Sequence, residues 1–260
     1  MIYIESLQNN KIKRLVHWIK KSSLRKKDQI FLVEGEREIQ RAIKSGYHLN
    51  ELFLDEENQK NINLPTEKAF FCSKEIFKKL VVRSGTVKAL AVFRRPNRTL
   101  DNIQLPKKPV ILILDGIEKP GNVGALMRTA NAVSVDAVIF SSLKCDPLSP
   151  YSVRNSLGGI FNTPWFEANR IDVIKFVLES NLKCFLMDLN GADFNFEQNL
   201  NEAYAIVLGS EDDGISNEWS RVAAEKVKIP MDGIVDSLNV SVAGAIILYE
   251  FRRQRKNFGK

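Results

Sequence analysis

The residues able to do chemistry cluster in three stretches. The first, "LDGIEKPGNVGALMRTAN" (residues 114–131), follows the apolar run Val110-Ile111-Leu112-Ile113. A buried strand running into a glycine-bearing loop and then a helix is the usual frame of a phosphate or nucleotide site. The usual fingerprints are absent. The glycines fall at Gly116, Gly121 and Gly124, so G-x-G-x-x-G is missing, and Asn122 and Val123 stand where a P-loop needs Lys and Ser/Thr. The second stretch is "VLGSEDDGIS" (207–216) and the third "IPMDGIVDSLNVSVAGA" (229–245). In open parallel sheets ligands bind beyond the carboxyl ends of the strands, and glycine lets backbone approach a ligand closely. Gly121, Gly124, Gly209, Gly214 and Gly233 are therefore read as the wall of one small-molecule pocket; taken singly, each is a tight turn.

The polar residues of these stretches have a pattern. Asn122 and Ser237 stand where a helix N-cap would be. Arg128 lies one and a half turns into its helix, flanking the apolar positions Val123, Leu126, Met127, Ala130 and Val133. A guanidinium there suits a phosphate or a carboxylate, or else a surface salt bridge. Glu211 follows Gly209-Ser210 directly after an apolar strand, where a carboxylate is costly unless it caps a helix or binds something. Asn239 and Ser241 interrupt an apolar helix opening and need partners. His17 and His48 are the only histidines, both far from the three stretches. No Ser-His-Asp set, Cys-His set or metal cluster can be assembled, so no metal is expected. Group transfer from a reactive cofactor, with the protein positioning the reactants, fits better.

The elements that must position these residues alternate. Strands are predicted at 110–114, 136–140, 183–187, 204–208 and 226–230, and helices at about 122–133, 170–180, 216–224 and 238–256. Near-continuous apolar strands separated by helices predict a parallel sheet covered on both faces. The last helix is apolar on nearly every side through Tyr249 and should be buried all round, in part against a second subunit. Upstream, residues 5–27 read as one basic amphipathic helix with Leu7, Ile12, Leu15, Val16 and Ile19 as its stripe. "IFLVEG", "LNELFLDE", "KAFFCS" and "KALAVFRRP" read as strands, and "EREIQRAIKSG" and "KEIFKKLVV" as helices. This is a small α/β unit over 1–98. Three prolines within 96–109 mark a linker or a domain edge, the linker taken as 99–109, before a second domain at 110–260.

Composition narrows the class. The chain has 260 residues, 44% of them hydrophobic, and a net charge of +7. No apolar stretch approaches a membrane span and no signal peptide is legible, so a soluble, cytoplasmic protein without membrane contact is expected. Cys72, Cys145 and Cys184 form no C-x-x-C pair and read as reduced, packed thiols. Residues 1–44 hold eleven Lys/Arg against five acids, a surplus of six, and the tail "FRRQRKNFGK" adds five cations. Two basic ends suggest a polyanionic partner, RNA or DNA ahead of membrane, or two solvated helix faces.

The three stretches resemble the three motifs of the SpoU (TrmH) family of RNA 2′-O-ribose methyltransferases, in the SPOUT superfamily. The likeness lies in "KPGNVGALMRTANAVSVDAVIF", "IVLGSEDDGIS" and "IPMDGIVDSLNVSVAGAIILYEFRRQ", with "RNSLGGIFNTPW" (154–165) between the first two. The first 95 or so residues resemble, through "FLVEGEREIQRAI" and "GTVKALAVFRRP", the L30e-like domain of the ribosomal-RNA branch. The resemblance implies an α/β catalytic domain with a C-terminal trefoil knot, S-adenosyl-L-methionine as cofactor, and a homodimer joined through the last helix with both subunits contributing to each site.

Carried over by position, Gly209, Ile229 and Leu238 would hold the adenosyl group by backbone, with Leu208, Met231 and Asn239 beside them. Asn122, Arg128, Glu211, Ser237 and Asn239 match the polar catalytic set. Arg128 would act as general base, or would grip the adjacent phosphate and stabilise the developing alkoxide; a guanidinium is an awkward base. Lys11, Lys13, Arg14, Lys20, Lys21, Arg25, Lys26 and Lys27 would bind RNA phosphates. Lys119 and Ser134 replace an acid and a glycine common in the first motif. The substrate implied is 23S ribosomal RNA ahead of tRNA. A catalytically silent RNA-binding member of the fold is the other reading, and the missing dinucleotide fingerprint argues against a nicotinamide dehydrogenase.

Overall fold

The computed structural model describes residues 2–57, 62–81, 87–194 and 202–257. The chain divides into two compact units, Met1–Asn97 with Leu148–Phe161, and Arg98–Pro147 with Asn162–Lys260.

The first unit contains β1 (Ile2–Ile4), α1 (Asn10–Lys20), α2 (Ser22–Lys27), β2 (Ile30–Glu34), α3 (Glu36–Lys44), β3 (Leu49–Asp55), β4 (Ala69–Cys72), α4 (Lys74–Leu80) and β5 (Ala89–Arg94). Its sheet has the order β1-β4-β3-β5-β2, with β5 antiparallel to both neighbours. The apolar strands read from the sequence are these strands. β1, three residues long, was too short to carry a periodic signal. Val82, at the end of the stretch read as a helix, and Gly85 and Thr86, at the start of "GTVKALAVFRRP", lie outside the described residues. Part of the segment expected in the second domain packs here: Phe161 lies against Phe31 and Tyr47, with ring centroids 6.1 and 5.3 Å away.

The single helix expected over 5–27 is two helices. Asn9 caps α1 by accepting from the Lys11 N–H, and at Lys21 the backbone turns extended (φ −119°, ψ 108°). The buried Arg25 explains the break. Its guanidinium donates to the carbonyl of Trp18 at 2.6 Å, satisfying an acceptor that a continuing helix would have used. Cys72 is buried in this unit's core, and burial pushes its thiol up to about 12, as it does for Cys184 in the second unit.

The second unit holds β6 (Val110–Asp115), α5 (Pro120–Val133), β7 (Ala137–Ser141), β8 (Trp165–Ala168), α8 (Arg170–Glu179), β9 (Lys183–Asp193), β10 (Tyr204–Leu208), β11 (Ala224–Lys228) and α9 (Val240–Asn257). Between β7 and β8 the chain forms α6 (Pro150–Asn155) and α7 (Gly159–Asn162). The six strands pair in the order β11-β9-β10-β6-β7-β8, all parallel. "VILILD" and "YAIVL" are buried along almost their whole length, as strands covered on both faces must be.

Two expectations need correction. The helix expected at 216–224 is only a 3₁₀ turn at Asn217–Arg221, because β11 begins at Ala224. Residues 99–109 are not a free linker: Leu100, Ile103 and Leu105 pack on the core around Ile111, Val173 and Trp219. Within the single chain, α9 is buried on one face, and the subunit burial expected for the other face would fall on its exposed side. Gly244, Ile247, Leu248 and Phe251 face the protein, while Val242, Ile246 and Tyr249 form an exposed stripe at i, i+4 and i+7. Only one face of the helix meets α5 and the sheet. An added Cβ at Gly244 would fall 2.4 Å from Leu126 Cδ2 and 2.8 Å from Leu208 Cδ1, so a larger residue there would have to displace these two buried side chains at the α5–α9 contact. Ser134 ends α5 in the left-handed region, with φ +59°.

Candidate active site

The three chemical stretches meet at the carboxyl ends of β10, β6 and β11. Pro120 starts α5, which needs no N–H there, and Asn122 falls in the first turn. Asn122 does not cap the helix. Its Nδ2 donates to Oε1 of Glu211, in the loop after β10. Its Oδ1 accepts from Asn239 Nδ2 at 3.3 Å. Asn239 is the residue that caps α9, its Oδ1 accepting from the Ser241 N–H at 3.0 Å and from the Ser241 hydroxyl at 2.6 Å. The expected cap, Ser237, lies two residues earlier, exposed and without a hydrogen bond among the described residues. One amide–carboxylate relay thus ties all three stretches together. The second oxygen of Glu211, Oε2, is buried and has no partner among the described residues. A buried carboxylate oxygen left in that state is an acceptor waiting for a donor.

The relay stands at a cavity of about 790 Å³. Leu208, Gly209, Ile229, Met231, Leu238 and Asn239, the six positions expected to hold the cofactor, all line it, and so do Glu211 and Ser237. Gly209 is required by sterics. The loop doubles back through a Ser210–Gly214 pair bonded in both directions at 3.0 and 3.1 Å, and a Cβ on Gly209 would lie 2.3 Å from the Gly214 carbonyl. The wall also includes residues the sequence reading missed. β9 runs past its expected end at 187, so Asp188, Leu189 and Asn190 reach the cavity. Lys226, bonded to Asp188 at 2.9 Å, holds that carboxyl below the usual carboxylate range. Trp219 closes the cavity from the 3₁₀ turn.

Arg128 is placed elsewhere. It is exposed on α5, does not line this cavity and makes no ion pair among the described residues, although its position beside the apolar stripe had suggested a partly inward guanidinium. Of the basic N-terminal set, Lys13, Lys20, Lys21, Lys26 and Lys27 are exposed. Lys11 and Arg14 pair with Glu51 at 2.5 and 3.0 Å, and Arg25 is buried. No group of three metal-ligating side chains occurs among the described residues, and no described helix is long and apolar enough to cross a membrane.

Of the five glycines expected to wall the pocket, Gly209 and Gly214 line it and Gly121, Gly124 and Gly233 do not. A parallel α/β sheet with such a cavity beyond its strand ends, fringed by amides and a carboxylate, defines a protein that binds a nucleoside-type cofactor. The sequence matches the SpoU rRNA Methylase family over residues 109–249 and an MRM3-like substrate binding domain over residues 9–91. The chain belongs to the SpoU rRNA methylase family. It is 28% identical over 256 residues to the 23S rRNA (guanosine(2553)-2′-O)-methyltransferase RlmP of Bacillus subtilis, covering 97% of this chain and 100% of that one. The fold matches a crystal structure of an RNA 2′-O ribose methyltransferase with a TM-score of 0.81 at 33% identity, covering 98% of this chain and 100% of that one. It also matches the SpoU methyltransferase AviRb of Streptomyces viridochromogenes in complex with AdoMet, with a TM-score of 0.85 at 25% identity, covering 96% and 99%.

Proposed function

We propose that this chain is an S-adenosyl-L-methionine-dependent RNA 2′-O-ribose methyltransferase acting on ribosomal RNA, with 23S RNA ahead of tRNA, as a cytoplasmic homodimer. The observation that carries this reading is the relay Asn239–Asn122–Glu211 at the edge of a cavity lined by Gly209, Ile229 and Leu238. The donor set suits the cofactor. The cavity offers apolar side chains for an adenine face and close-approaching backbone at Gly209, where a Cβ would collide with the Gly214 carbonyl. Leu208, Gly209, Ile229, Met231, Leu238 and Asn239 would hold the group. When bound, S-adenosyl-L-methionine supplies an electrophilic methyl.

The chain's own residues then prepare the ribose. Glu211 accepts from Asn122 through one oxygen and keeps the other for substrate, and Asn122 is fixed in turn by Asn239, so the constellation is set before RNA arrives. Arg128, exposed and unpaired among the described residues, serves the partner's cavity. There it either takes the 2′-hydroxyl proton or stabilises the developing alkoxide while gripping a phosphate. Ser237, exposed at the rim, lies within the same active-site set. The stripe Val242, Ile246 and Tyr249, with the fully exposed Ile234 nearby in sequence, supplies an apolar face for a second copy. The trefoil knot belongs to this reading. It is supported by a chain that leaves β11 at the sheet edge and returns across the cavity to pack α9 on α5. Lys13, Lys20, Lys21, Lys26 and Lys27 supply cations for the RNA backbone.

Transfer of tritium from methyl-labelled S-adenosyl-L-methionine into separate 23S RNA and tRNA tests the proposal. Label in 23S RNA supports it, and label in tRNA alone moves the substrate. Tight cofactor binding without transfer to either RNA would favour a silent RNA-binding member of the fold.

A further inference from the structure

Asp115, the last residue of β6, is a carboxylate only 1% exposed, which requires compensation. It receives three hydrogen bonds. Ser141 Oγ, from the end of β7, donates to Oδ1 at 2.6 Å, and Arg170 Nε donates to Oδ1 at 2.9 Å and to Oδ2 at 3.0 Å. Arg170 is the first residue of α8, held there by its own N–H donating to Ser142 Oγ at 2.9 Å. Its guanidinium has a second attachment: Nη1 donates to Glu218 Oε1 at 3.0 Å. Glu218 sits in the 3₁₀ turn that closes the 209–218 loop, next to Trp219, and its N–H is capped by Ser216 Oγ. Gly116 lies between the two: its Cβ position is at ordinary contact distance from Arg170 Nη2, 3.5 Å, and from Ser210 Cβ, 3.9 Å, and all three residues line one smaller cavity. A second cation repeats the link nearby: Lys144 bridges Glu118 at 2.5 Å and Asp213 at 2.9 Å.

The 209–218 loop carries Gly209, Ser210 and Glu211 into the cavity wall, while Arg170 itself does not line that cavity. We infer that Arg170 is a positioning residue, which fastens the 209–218 loop to the buried carboxylate of Asp115 and so presets the cofactor-binding wall. The inference rests on the reading of that cavity as an S-adenosyl-L-methionine site. A loop that wanders must be ordered by the cofactor on binding, which weakens affinity without altering the reacting groups.

The test measures S-adenosyl-L-methionine KM and kcat, together with Tm, on full-length protein. Arg170→Gln leaves Asp115 buried without its countercharge and can unfold the unit. Glu218→Gln weakens only the loop-side bond, turning an ion pair into a neutral hydrogen bond, and is the deciding variant. The expected result is a threefold to fivefold rise in cofactor KM for Glu218→Gln, with kcat at saturating cofactor and Tm essentially unchanged. For Arg170→Gln, if it folds, a tenfold or larger rise in KM is expected, and adding Glu218→Gln makes it no worse. Arg170→Lys should recover part of the loss. An unchanged KM in Glu218→Gln, or a fall in kcat at constant KM, overturns the inference. Wild-type protein that binds no cofactor at all overturns the cavity reading instead.

Discussion

Asn122 and Glu211 stand 89 residues apart in sequence and are bonded side chain to side chain beside the cavity, which Glu211 lines and Asn122 does not. One lies in the first turn of α5 and the other in the loop after β10, so the bond exists only when both elements are docked on the same sheet. Glu211→Gln keeps the shape but loses the charge, and Asn122→Ala removes the donor. Each is expected to lower kcat by about 100-fold, the usual effect of deleting a prepositioned polar group. Cofactor KM should change far less. Steady-state kinetics with cofactor and RNA varied separately check this.

The exposure of Arg128 predicts action in trans. Variants Arg128→Ala and Asn122→Ala, each inactive alone, should recover about a quarter of wild-type activity when mixed and allowed to exchange subunits, since half the dimers then hold one intact site. Ile246→Glu, within the exposed stripe of α9, should give a monomer by sedimentation and abolish that recovery. If Arg128 acted within its own chain, the mixture would stay inactive.

How much of the molecule was legible in the sequence depended on range. The strands of the second unit were readable because each is a nearly unbroken apolar run, and the polar set was readable by residue type. What could not be read was pairing. Asn122 and Ser237 both fit a helix cap, and only the fold shows that Asn122 reaches Glu211 while Asn239 caps α9. α1 and α2 form one amphipathic pattern on paper because their break depends on Arg25 reaching back to Trp18. The Arg170 clamp left one trace, an aspartate directly after Val110–Leu114. An acid at the end of a buried strand signals a hidden partner.

The basic N-terminal set divides into two classes with opposite signatures. Lys20→Ala and Lys21→Ala remove exposed cations, and each should weaken RNA binding. The slope of log affinity against log salt should become shallower by about one for each phosphate that is no longer neutralised. Tm should not move. Arg25→Ala should instead lower Tm, because it strips a buried carbonyl of its donor at a cost of about 1–3 kcal/mol. Filter binding at several salt concentrations, paired with thermal melts, separates the two.

Ser134 occupies a left-handed conformation, φ +59°, at the C-terminal end of α5. Glycine adopts that conformation freely, so Ser134→Gly should stabilise the protein, by about 0.5–1 kcal/mol. Ser134→Val should destabilise it by more, because a β-branched side chain tolerates this region worst. Chemical denaturation at constant m-value measures both.

The most direct measurement locates the transferred methyl group. Ribosomal RNA treated with the enzyme and S-adenosyl-L-methionine is digested to nucleosides and analysed by mass spectrometry. The account predicts a single new 2′-O-methylated nucleoside in 23S RNA, made by the wild-type protein and not by Glu211→Ala. A methyl found on a base, or an unchanged yield from Glu211→Ala, would contradict it.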